Sequence, residues 1–172
     1  MKPSLYLIGI GSNQRHPLAG DPRRIVAAAI EALEMPEIDV FADSRVITSA
    51  PLGPSARRYA NAAILVSSPL SPSDMLDRLH AVEQHFGRDR RGARWRARTL
   101  DLDILAWSEG MWVSDLPALA IPHPALRYRT FALGPAAEIA PTWRDPVTGL
   151  TLRQLFHRLT RPKPLDRRQA AH

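Results

Sequence analysis

The alternation of hydrophobic and polar residues along this chain predicts four β-strands and two long α-helices. A period-two alternation or a short apolar run indicates a strand, and apolar residues at helical spacing indicate a helix. We expect strands over residues 5–10, 38–48, 59–66 and 100–107, and helices over residues 23–35 and 72–86. Asp21 and Ser71, each followed by proline, are favourable N-caps for these helices. The order βαββαβ therefore predicts an α+β fold, a ferredoxin-like antiparallel sheet with both helices packed on one face.

The last third of the chain predicts additions to this sheet rather than a second domain. Glu109 and Gly110 form a hairpin-turn signal after the fourth strand, with residues 111–113 as the returning strand. Short helices are expected near residues 130–138 and 151–159. We therefore expect one domain over residues 1–160, which ends in a C-terminal hairpin and short helices, and a basic, flexible tail over residues 161–172.

The fourth predicted strand carries two acids among apolar residues. Its period-two pattern divides the residues between two faces, with Asp101, Asp103, Leu105 and Trp107 on one and Leu100, Leu102, Ile104 and Ala106 on the other. The Cα atoms of the two aspartates would lie about 6–7 Å apart, a spacing that lets their oxygens bind one or two hard cations. A solvent-facing pair of acids is the simpler interpretation of such a motif. The apolar residues that continue the acid face argue against it.

The segment just before this strand concentrates positive charge. Residues 88–98 contain six arginines and one aspartate, in a chain whose net charge is +6. Arginine guanidinium groups bind phosphate oxygens in pairs, so a dense arginine segment beside two acids is typical of a polyphosphate site. Trp95, in the middle of the segment, can stack on a flat ligand or on a neighbouring arginine. A nucleic-acid-binding protein more often spreads its basic residues along a face.

Several other classes of protein are excluded by motifs that the chain lacks. It contains no cysteine, so any metal site must use oxygen or imidazole ligands. Gly9 and Gly11 follow the first strand, but Gln14 stands where a dinucleotide-binding motif needs its third glycine. We expect Gly11 to begin the turn that leaves the strand. The apolar runs are too short for a transmembrane helix or a signal-peptide core, which predicts a cytoplasmic protein without membrane contacts.

Two further groups of residues are candidates for ligand contacts. His123 lies between two prolines, and Arg127, Arg129 and Phe131 follow closely, which suits either a structural turn or a second phosphate-and-ring cluster. Tyr59 and Asn61 share one face of the third strand, where an amide can hydrogen-bond the edge of a heterocycle. Each group alone is also compatible with a purely structural role.

These residues together resemble a known family. The run Trp95-x-x-Arg98-Thr99-Leu100-Asp101-Leu102-Asp103-Ile104 is similar to the hallmark of the 6-hydroxymethyl-7,8-dihydropterin pyrophosphokinases. Further motifs of that family occur in the same order, namely Gly11-Ser12-Asn13, Pro51-Leu52-Gly53-Pro54, Tyr59-x-Asn61-Ala62-Ala63, Glu83-x-x-x-Gly87-Arg88 and Pro122-His123. The resemblance covers roughly residues 5–158 and implies an enzyme of folate biosynthesis. We expect a cytoplasmic monomer whose partners are small molecules rather than nucleic acid.

The resemblance also implies a reaction and the residues that serve it. ATP would donate its β,γ-pyrophosphoryl group to the hydroxymethyl oxygen of the pterin, and AMP would leave. Asp101 and Asp103 would hold two Mg²⁺ ions and act in catalysis together with Arg88 and Arg98. The implied ATP-binding residues are Glu83, Arg88, Trp95, Arg98, His123 and Arg129. The implied pterin-binding residues are Ser49, Pro51, Leu52, Tyr59, Asn61, Trp95, Asp101 and Phe131.

Three departures from the family pattern leave an alternative open. Arg96 and Ala97 stand where the family usually has Gly-Pro, which changes the backbone shapes available to the segment. The loop after Asn13 is longer than usual, and Ala118 replaces a basic residue. A catalytically weak paralogue that binds pterin or nucleotide is therefore the first alternative. A ferredoxin-like RNA-binding module is the second, although the first and third strands lack the aromatic motif that such modules use.

Overall fold

The structure, a computed structural model, describes residues 2–17, 19–50, 57–87 and 99–162. The predictions for Pro51, Leu52, the arginine-rich residues 88–98 and the tail from residue 163 onward lie outside the described residues. Within these ranges the elements are β1 (Ser4–Ser12), α1 (Pro22–Leu33), β2 (Asp39–Asp43), β3 (Ile47–Ser49), β4 (Tyr59–Ser68), α2 (Pro72–His85), β5 (Asp101–Trp107), β6 (Trp112–Asp115), β7 (Ala118–Ile121), a 3₁₀ helix (Leu126–Tyr128), α3 (Thr130–Ile139) and α4 (Leu152–Thr160). None of the helices in the described part of the chain could span a lipid bilayer.

The central sheet has the strand order β2–β4–β1–β5, with every pair antiparallel, and β3 also pairs with β4. This order confirms the ferredoxin-like βαββαβ fold that the sequence predicts. The predicted second strand is divided into β2 and β3. Ser44 lies at the break, where its N donates to Ala63 O and its Oγ accepts from Ala63 N, each at 2.9 Å.

Helices α1 and α2 cover one face of this sheet, as the sequence predicts. Asp21 caps α1 by accepting hydrogen bonds from Arg23 N and Arg24 N, and Ser71 caps α2. Alternate strand residues and the apolar sides of both helices form the larger of two buried clusters, which includes Tyr6, Ile8, Ile10, Ile25, Leu33, Ile64, Met75, Leu79, Leu102 and Ile104. Burial of this apolar surface is the main stabilising contribution to the fold.

Helices α3 and α4 cover part of the opposite face, and they confirm the two short helices predicted near the C-terminus. Thr151 opens α4 with a capping box, in which its Oγ1 accepts from Gln154 N while Gln154 Oε1 accepts from Thr151 N. The second cluster on this face includes Leu7, Ala63, Leu105, Ala106, Leu126, Leu133, Ala136, Leu152 and Leu155. Leu7 and Ala63 are the members contributed by β1 and β4, and the pair of Gly11 with Asn61 lies two residues beyond the pair of Gly9 with Ala63.

A β-bulge in β5 overturns part of the predicted side-chain alternation. The register of β5 on β1 shifts at Leu105, which becomes an extra residue opposite the step from Leu7 to Ile8. Ala106 therefore joins Leu105 in the second cluster, and Trp107 packs against the larger cluster beneath α1 and α2. The prediction that Ala106 and Trp107 continue the alternation is wrong, because a one-residue shift moves every later side chain to the other face.

The predicted hairpin after β5 has a different partner from the one expected. The chain does turn at Glu109 and Gly110, and Gly110 has a φ of 106°. The next strand, β6, pairs with β7 rather than returning along β5. Trp112 of β6 packs against the larger cluster, and β7 lies against β5. The additional hairpin is therefore an extension of the core beside β5.

Candidate active site

A row of residues across three neighbouring strands brings two predicted site residues, Asn61 and Asp101, close together. Gly11 of β1 pairs with Asn61 of β4 on one side and with Asp101 of β5 on the other. Directly paired residues point their side chains to the same face of a sheet, so Asn61 and Asp101 flank a position that has no side chain. Gly11 is only half-buried. The row therefore leaves an opening between an amide and a carboxylate.

The neighbouring row also has a glycine beside an aspartate, but Ala63 takes the place of Asn61 and the space above the glycine is filled. Gly9 pairs with Asp103, and a Cβ on Gly9 would lie 3.2 Å from both terminal carbons of Leu105. A Cβ on Gly11 would lie 3.6 Å from Asn61 Oδ1, which is an ordinary contact distance. The space beside Gly9 is thus occupied by the bulged Leu105, and the opening is confined to the Gly11 row. The expectation that Gly11 begins a turn is wrong, since β1 continues to Ser12.

The amide of Asn61 is oriented by a hydrogen bond to a residue that the sequence also predicts for the site. Asn61 Nδ2 donates to Ser49 Oγ at 2.9 Å, and its Oδ1 faces the Gly11 position. Asn61 is buried, so rotation of the amide would break a hydrogen bond that water cannot easily replace. Tyr59 pairs with Ser49 and shares the face of Asn61 by the alternation of β4. Three predicted pterin contacts therefore lie side by side, with an acceptor directed at the opening.

The two aspartates of β5 are half-buried on the open face of the sheet. Asp101 and Asp103 pair with glycines on β1, so no β1 side chain separates them from the opening. In the described ranges no group of three or more His, Asp or Glu side chains is arranged to hold a metal ion. Mg²⁺ is usually bound by one or two carboxylates, waters and the phosphates of a substrate. The pair therefore fits a magnesium site that a phosphate ligand completes.

Glu83 of α2 holds the strand that carries these aspartates. Its side chain is fully buried, and its Oε1 accepts a hydrogen bond of 2.8 Å from Leu102 N. Leu102 lies between Asp101 and Asp103, and β5 is the last strand on its side of the sheet. A buried carboxylate is tolerated only when it is hydrogen-bonded or paired. Glu83 thus fixes β5 from the side opposite the neighbouring strand, whereas the nucleotide contact expected for it remains a prediction.

His123 lies where the chain leaves β7 and is fixed by two hydrogen bonds. Its backbone N donates to Leu105 O at 3.0 Å, which ties it to the bulge of β5. Its Nδ1 accepts from Ala125 N at 3.0 Å. In the neutral ring this acceptor role places the proton on Nε2, the nitrogen that could donate to a ligand. The structural turn and the ligand contact considered for His123 are therefore compatible with each other.

Arg129 and Phe131 lie at the start of α3, which packs on β3 and β4. The guanidinium carbon of Arg129 lies 5.8 Å from the centroid of the Phe131 ring, within the range of a cation–π contact. Both side chains are half-buried. They thus form a cation-and-ring pair at the start of the helix that borders the Asn61 side of the open face. Arg127, the other arginine expected in this cluster, is bound by Asp145 instead, and a phosphate contact of Arg129 stays a prediction.

Five of the expected site residues, Pro51, Leu52, Arg88, Trp95 and Arg98, lie outside the described residues, and their roles stay predictions. Sequence reasoning misses the contribution of Gly11 to the floor of the site, because the residues around Gly11 suggest a turn. The available signal was a Gly-x-Gly spacing in one strand matched by an Asp-x-Asp spacing in another strand of the same sheet.

The strand order and the helices on one face define a ferredoxin-like α+β domain, and the paired acids beside an amide form its candidate active site. Solved structures support this class: a chain of Plasmodium falciparum HPPK-DHPS superimposes with a TM-score of 0.69 over 91% of this chain, at 11% identity. A second HPPK-DHPS structure, determined with substrates, gives a TM-score of 0.70 over 92% of this chain, at 11% identity. The present chain spans less than half of each of those chains, 44% and 43%. This similarity concerns the fold alone.

The sequence comparisons identify the family. The profile described as 7,8-dihydro-6-hydroxymethylpterin-pyrophosphokinase (HPPK) matches residues 7–141, and the chain belongs to this family. A Pseudomonas aeruginosa protein named 2-amino-4-hydroxy-6-hydroxymethyldihydropteridine pyrophosphokinase is 40% identical over 141 residues, which cover 81% of this chain and 82% of that protein. A Synechocystis protein of the same name is 37% identical over 153 residues, covering 89% and 75%. The predicted resemblance and the predicted class of enzyme, an ATP-dependent diphosphotransferase, are confirmed.

Proposed function

We propose that this chain transfers the β,γ-pyrophosphoryl group of ATP to 6-hydroxymethyl-7,8-dihydropterin in folate biosynthesis. The observation that carries the proposal is the family match over residues 7–141, a range that includes Asn61, both aspartates of β5 and His123. The hydroxymethyl oxygen attacks the β-phosphorus, and the bond from that phosphorus to the oxygen bridging it to the α-phosphorus breaks. AMP leaves with that oxygen, and the hydroxyl proton is released. The protein contributes mainly positioning and charge neutralisation to such a transfer.

In this proposal the pterin lies over Gly11 with its edge against Asn61. A pterin ring carries N–H donors along its edge, and Asn61 Oδ1 offers an acceptor at the opening. The hydrogen bond from Asn61 Nδ2 to Ser49 supports this assignment, because it fixes which atom of the amide faces the ligand. Tyr59 and Phe131 would contact the ring faces, and Pro51 and Leu52 would line the pocket. Asp101 would lie next to the hydroxymethyl group.

Asp101 and Asp103 would hold the two expected Mg²⁺ ions. The support is their position on β5, half-buried beside two glycines, where phosphate oxygens can complete the coordination. When bound, the ions neutralise the charge that develops on the phosphate oxygens. The hydrogen bond from Leu102 N to the Glu83 side chain also supports this assignment. It holds the backbone of β5 at the residue between the two aspartates.

The nucleotide would be bound between the aspartates and the basic residues of the chain. His123 and Arg129 are the described residues that we assign to it, the first through Nε2 and the second through its guanidinium group. Arg88, Trp95 and Arg98 complete the proposed ATP-binding set, with Arg88 and Arg98 gripping the phosphates in catalysis. Glu83 belongs to the same proposed set, and it also holds β5 through its hydrogen bond with Leu102 N.

The test is a reaction of the purified protein with Mg²⁺, ATP and 6-hydroxymethyl-7,8-dihydropterin, in which AMP and the pterin diphosphate are measured by chromatography. We expect the two products in equal amounts, and no AMP when the pterin is omitted. Measurable nucleotide binding without AMP formation would favour the weak paralogue that Arg96 and Ala97 suggest. ATP consumption at the same rate with and without the pterin would contradict the proposed acceptor.

We further propose that the enzyme acts as a cytoplasmic monomer on these small molecules, without nucleic-acid or membrane partners. The concentration of basic residues in residues 88–98, rather than along one face, supports this view. Light scattering coupled to size-exclusion chromatography should give the mass of one chain, 19.1 kDa. A mass near twice that value would contradict the monomer.

A further inference from the structure

A buried ion pair joins two parts of the second layer that are far apart in sequence. Arg127 donates from Nε to Asp145 Oδ2 at 2.9 Å and from Nη2 to Asp145 Oδ1 at 2.8 Å. Thr148 adds hydrogen bonds to Oδ2 from its N at 3.1 Å and its Oγ1 at 2.6 Å. The side chain of Asp145 has no exposed surface, and that of Arg127 is 16% exposed. The carboxylate thus accepts four hydrogen bonds, and two of them orient the arginine.

One end of this pair is anchored in a closed loop between α3 and α4. Asp145 N donates to Leu150 O at 2.9 Å, and Gly149 N donates back to Asp145 O at 2.8 Å. Gly149 has a φ of 70°, a conformation that glycine adopts without strain. Just beyond the loop, Leu152 N donates to Trp143 O, and Leu152 is a fully buried member of the second cluster. The carboxylate therefore projects from a fixed support.

The other end is the middle of the segment that carries two residues assigned to the nucleotide. Arg127 belongs to the 3₁₀ helix between His123 and Arg129. The segment is attached to β5 through His123 N and to α3 through the Arg129 carbonyl, which accepts from Leu133 N at 2.9 Å. Between these attachments Leu126 is buried and Tyr128 is exposed. The Arg127 guanidinium is thus the side-chain link from the middle of this segment to the Asp145 loop.

We infer that Asp145 is a positioning residue, which acts through Arg127 to hold His123 and Arg129 in the geometry that the nucleotide requires. The inference rests on the proposed function. A two-bond arginine–carboxylate contact adds geometric specificity to its attraction, whereas its net contribution to stability is offset by the desolvation of both charges. Without the carboxylate, we expect the partly buried guanidinium to move toward water and the 3₁₀ helix to shift with it. That shift would move residues on both sides of it.

The test compares Asp145→Asn with Glu138→Gln. Glu138 also pairs with an arginine, Arg45, at 3.0 Å, but this pair is on the outer side of α3 and Arg45 is 86% exposed. Both substitutions replace a carboxylate by an amide of the same shape. For Asp145→Asn we expect the KM for ATP to rise about tenfold, while the KM for the pterin at saturating ATP stays within about twofold, because α3 remains packed on the sheet. Glu138→Gln should change neither.

A second readout is hydrogen exchange of backbone amides, which needs no substrate. In Asp145→Asn the amides of His123 and Leu126 should exchange faster, and those of β1 should not. Arg127→Lys keeps the charge but loses the two-bond contact, and it should give a smaller change of the same kind. If Asp145→Asn destabilises the protein too much at room temperature, Arg127→Lys carries both measurements.

Two results would overturn the inference. One is a folded Asp145→Asn variant with unchanged exchange at His123 and Leu126 and an unchanged KM for ATP. The other is an equal rise of both KM values, which would make the pair a general support of the fold. If the wild-type protein neither binds ATP nor forms AMP, the proposed function fails instead. The exchange measurement then still decides whether Asp145 holds the segment.

Discussion

The Gly11 row offers a substitution that should separate binding from stability. Gly11→Ala adds one methyl group between Asn61 and Asp101, where the proposed pterin lies. The new Cβ would lie 3.6 Å from Asn61 Oδ1, so the protein itself accommodates it without a clash. Glycine within a strand is less favourable than alanine by about 0.5–1 kcal/mol. We therefore expect the free energy of unfolding to stay the same or to rise slightly.

Binding should respond in the opposite direction. The methyl group blocks the approach of a ring edge to Asn61 Oδ1, and a ligand donor that loses its acceptor in a buried site forfeits about 1–3 kcal/mol. The affinity for the pterin should then fall by about tenfold to a hundredfold, since each 1.4 kcal/mol is about a factor of ten. The KM for ATP should change much less, because the proposed nucleotide contacts come from β5, His123 and Arg129.

Gly9→Ala is the matched control, two residues away on the same strand. Its Cβ would lie 3.2 Å from both terminal carbons of Leu105, which is 3% exposed and cannot move freely. Overpacking of this kind destabilises by about 1–3 kcal/mol. A chain of this size then melts about 2–4 °C lower for each kcal/mol lost. Calorimetric melting and titration of the pterin into both variants provide the comparison. Wild-type pterin affinity in Gly11→Ala would refute the proposed ring position.

Three further outcomes are expected. Asp101→Ala and Asp103→Ala should each abolish AMP formation while circular dichroism and melting stay close to wild type. Substitution of the exposed aspartates of β2 should leave AMP formation unchanged. Near-normal turnover in Asp101→Ala or Asp103→Ala would contradict the metal assignment. Glu83→Leu leaves the buried Leu102 N without its acceptor and should lower the free energy of unfolding by about 1–3 kcal/mol in urea titrations, with Glu83→Gln much milder. Burial raises the pKa of Asp145, but the Arg127 and Thr148 hydrogen bonds outweigh it and hold that pKa below its ordinary value. The ionised Asp145 side chain therefore stabilises the fold at pH values above its unfolded-state pKa, and this stabilisation is lost as the pH falls through its folded-state pKa. Urea titrations over that acidic range should show the loss in the wild type and not in Asp145→Asn.

The elements of this fold are encoded by local patterns, and the sequence predicts them well for that reason. Asp21 and Ser71 begin their helices through hydrogen bonds to residues two or three positions away, and apolar periodicity identifies the buried sides. The bulge at Leu105 has no such local signal, because it depends on how β5 matches β1 across the sheet. Trp107 was assigned to the wrong face for the same reason. The partner of β6 is likewise decided by packing rather than by the turn that precedes it.

The residues of the candidate site likewise fall into two groups, those that local sequence patterns identify and those that depend on tertiary contacts. The paired aspartates and Asn61 could be identified from residue type and spacing, and the row that joins them follows once the strand order is known. The two-bond contact of Arg127 with Asp145 spans 18 residues and leaves no motif. The hydrogen bond from Leu102 to Glu83 is similar, since it joins a helix to a strand edge across 19 residues. Such links depend on tertiary structure and become visible only when the elements are assembled.

The separation of the two apolar clusters by the sheet has a consequence for ligand-free dynamics. Because α3 and α4 belong to the smaller cluster, we expect their layer to take part in a subglobal opening that leaves α1, α2 and the sheet assembled. We expect native-state exchange to place this opening at a lower free energy than complete unfolding. A ligand bound between the sheet and α3 would suppress this opening. Substrate binding should therefore slow the hydrogen exchange of amides in the α3–α4 layer.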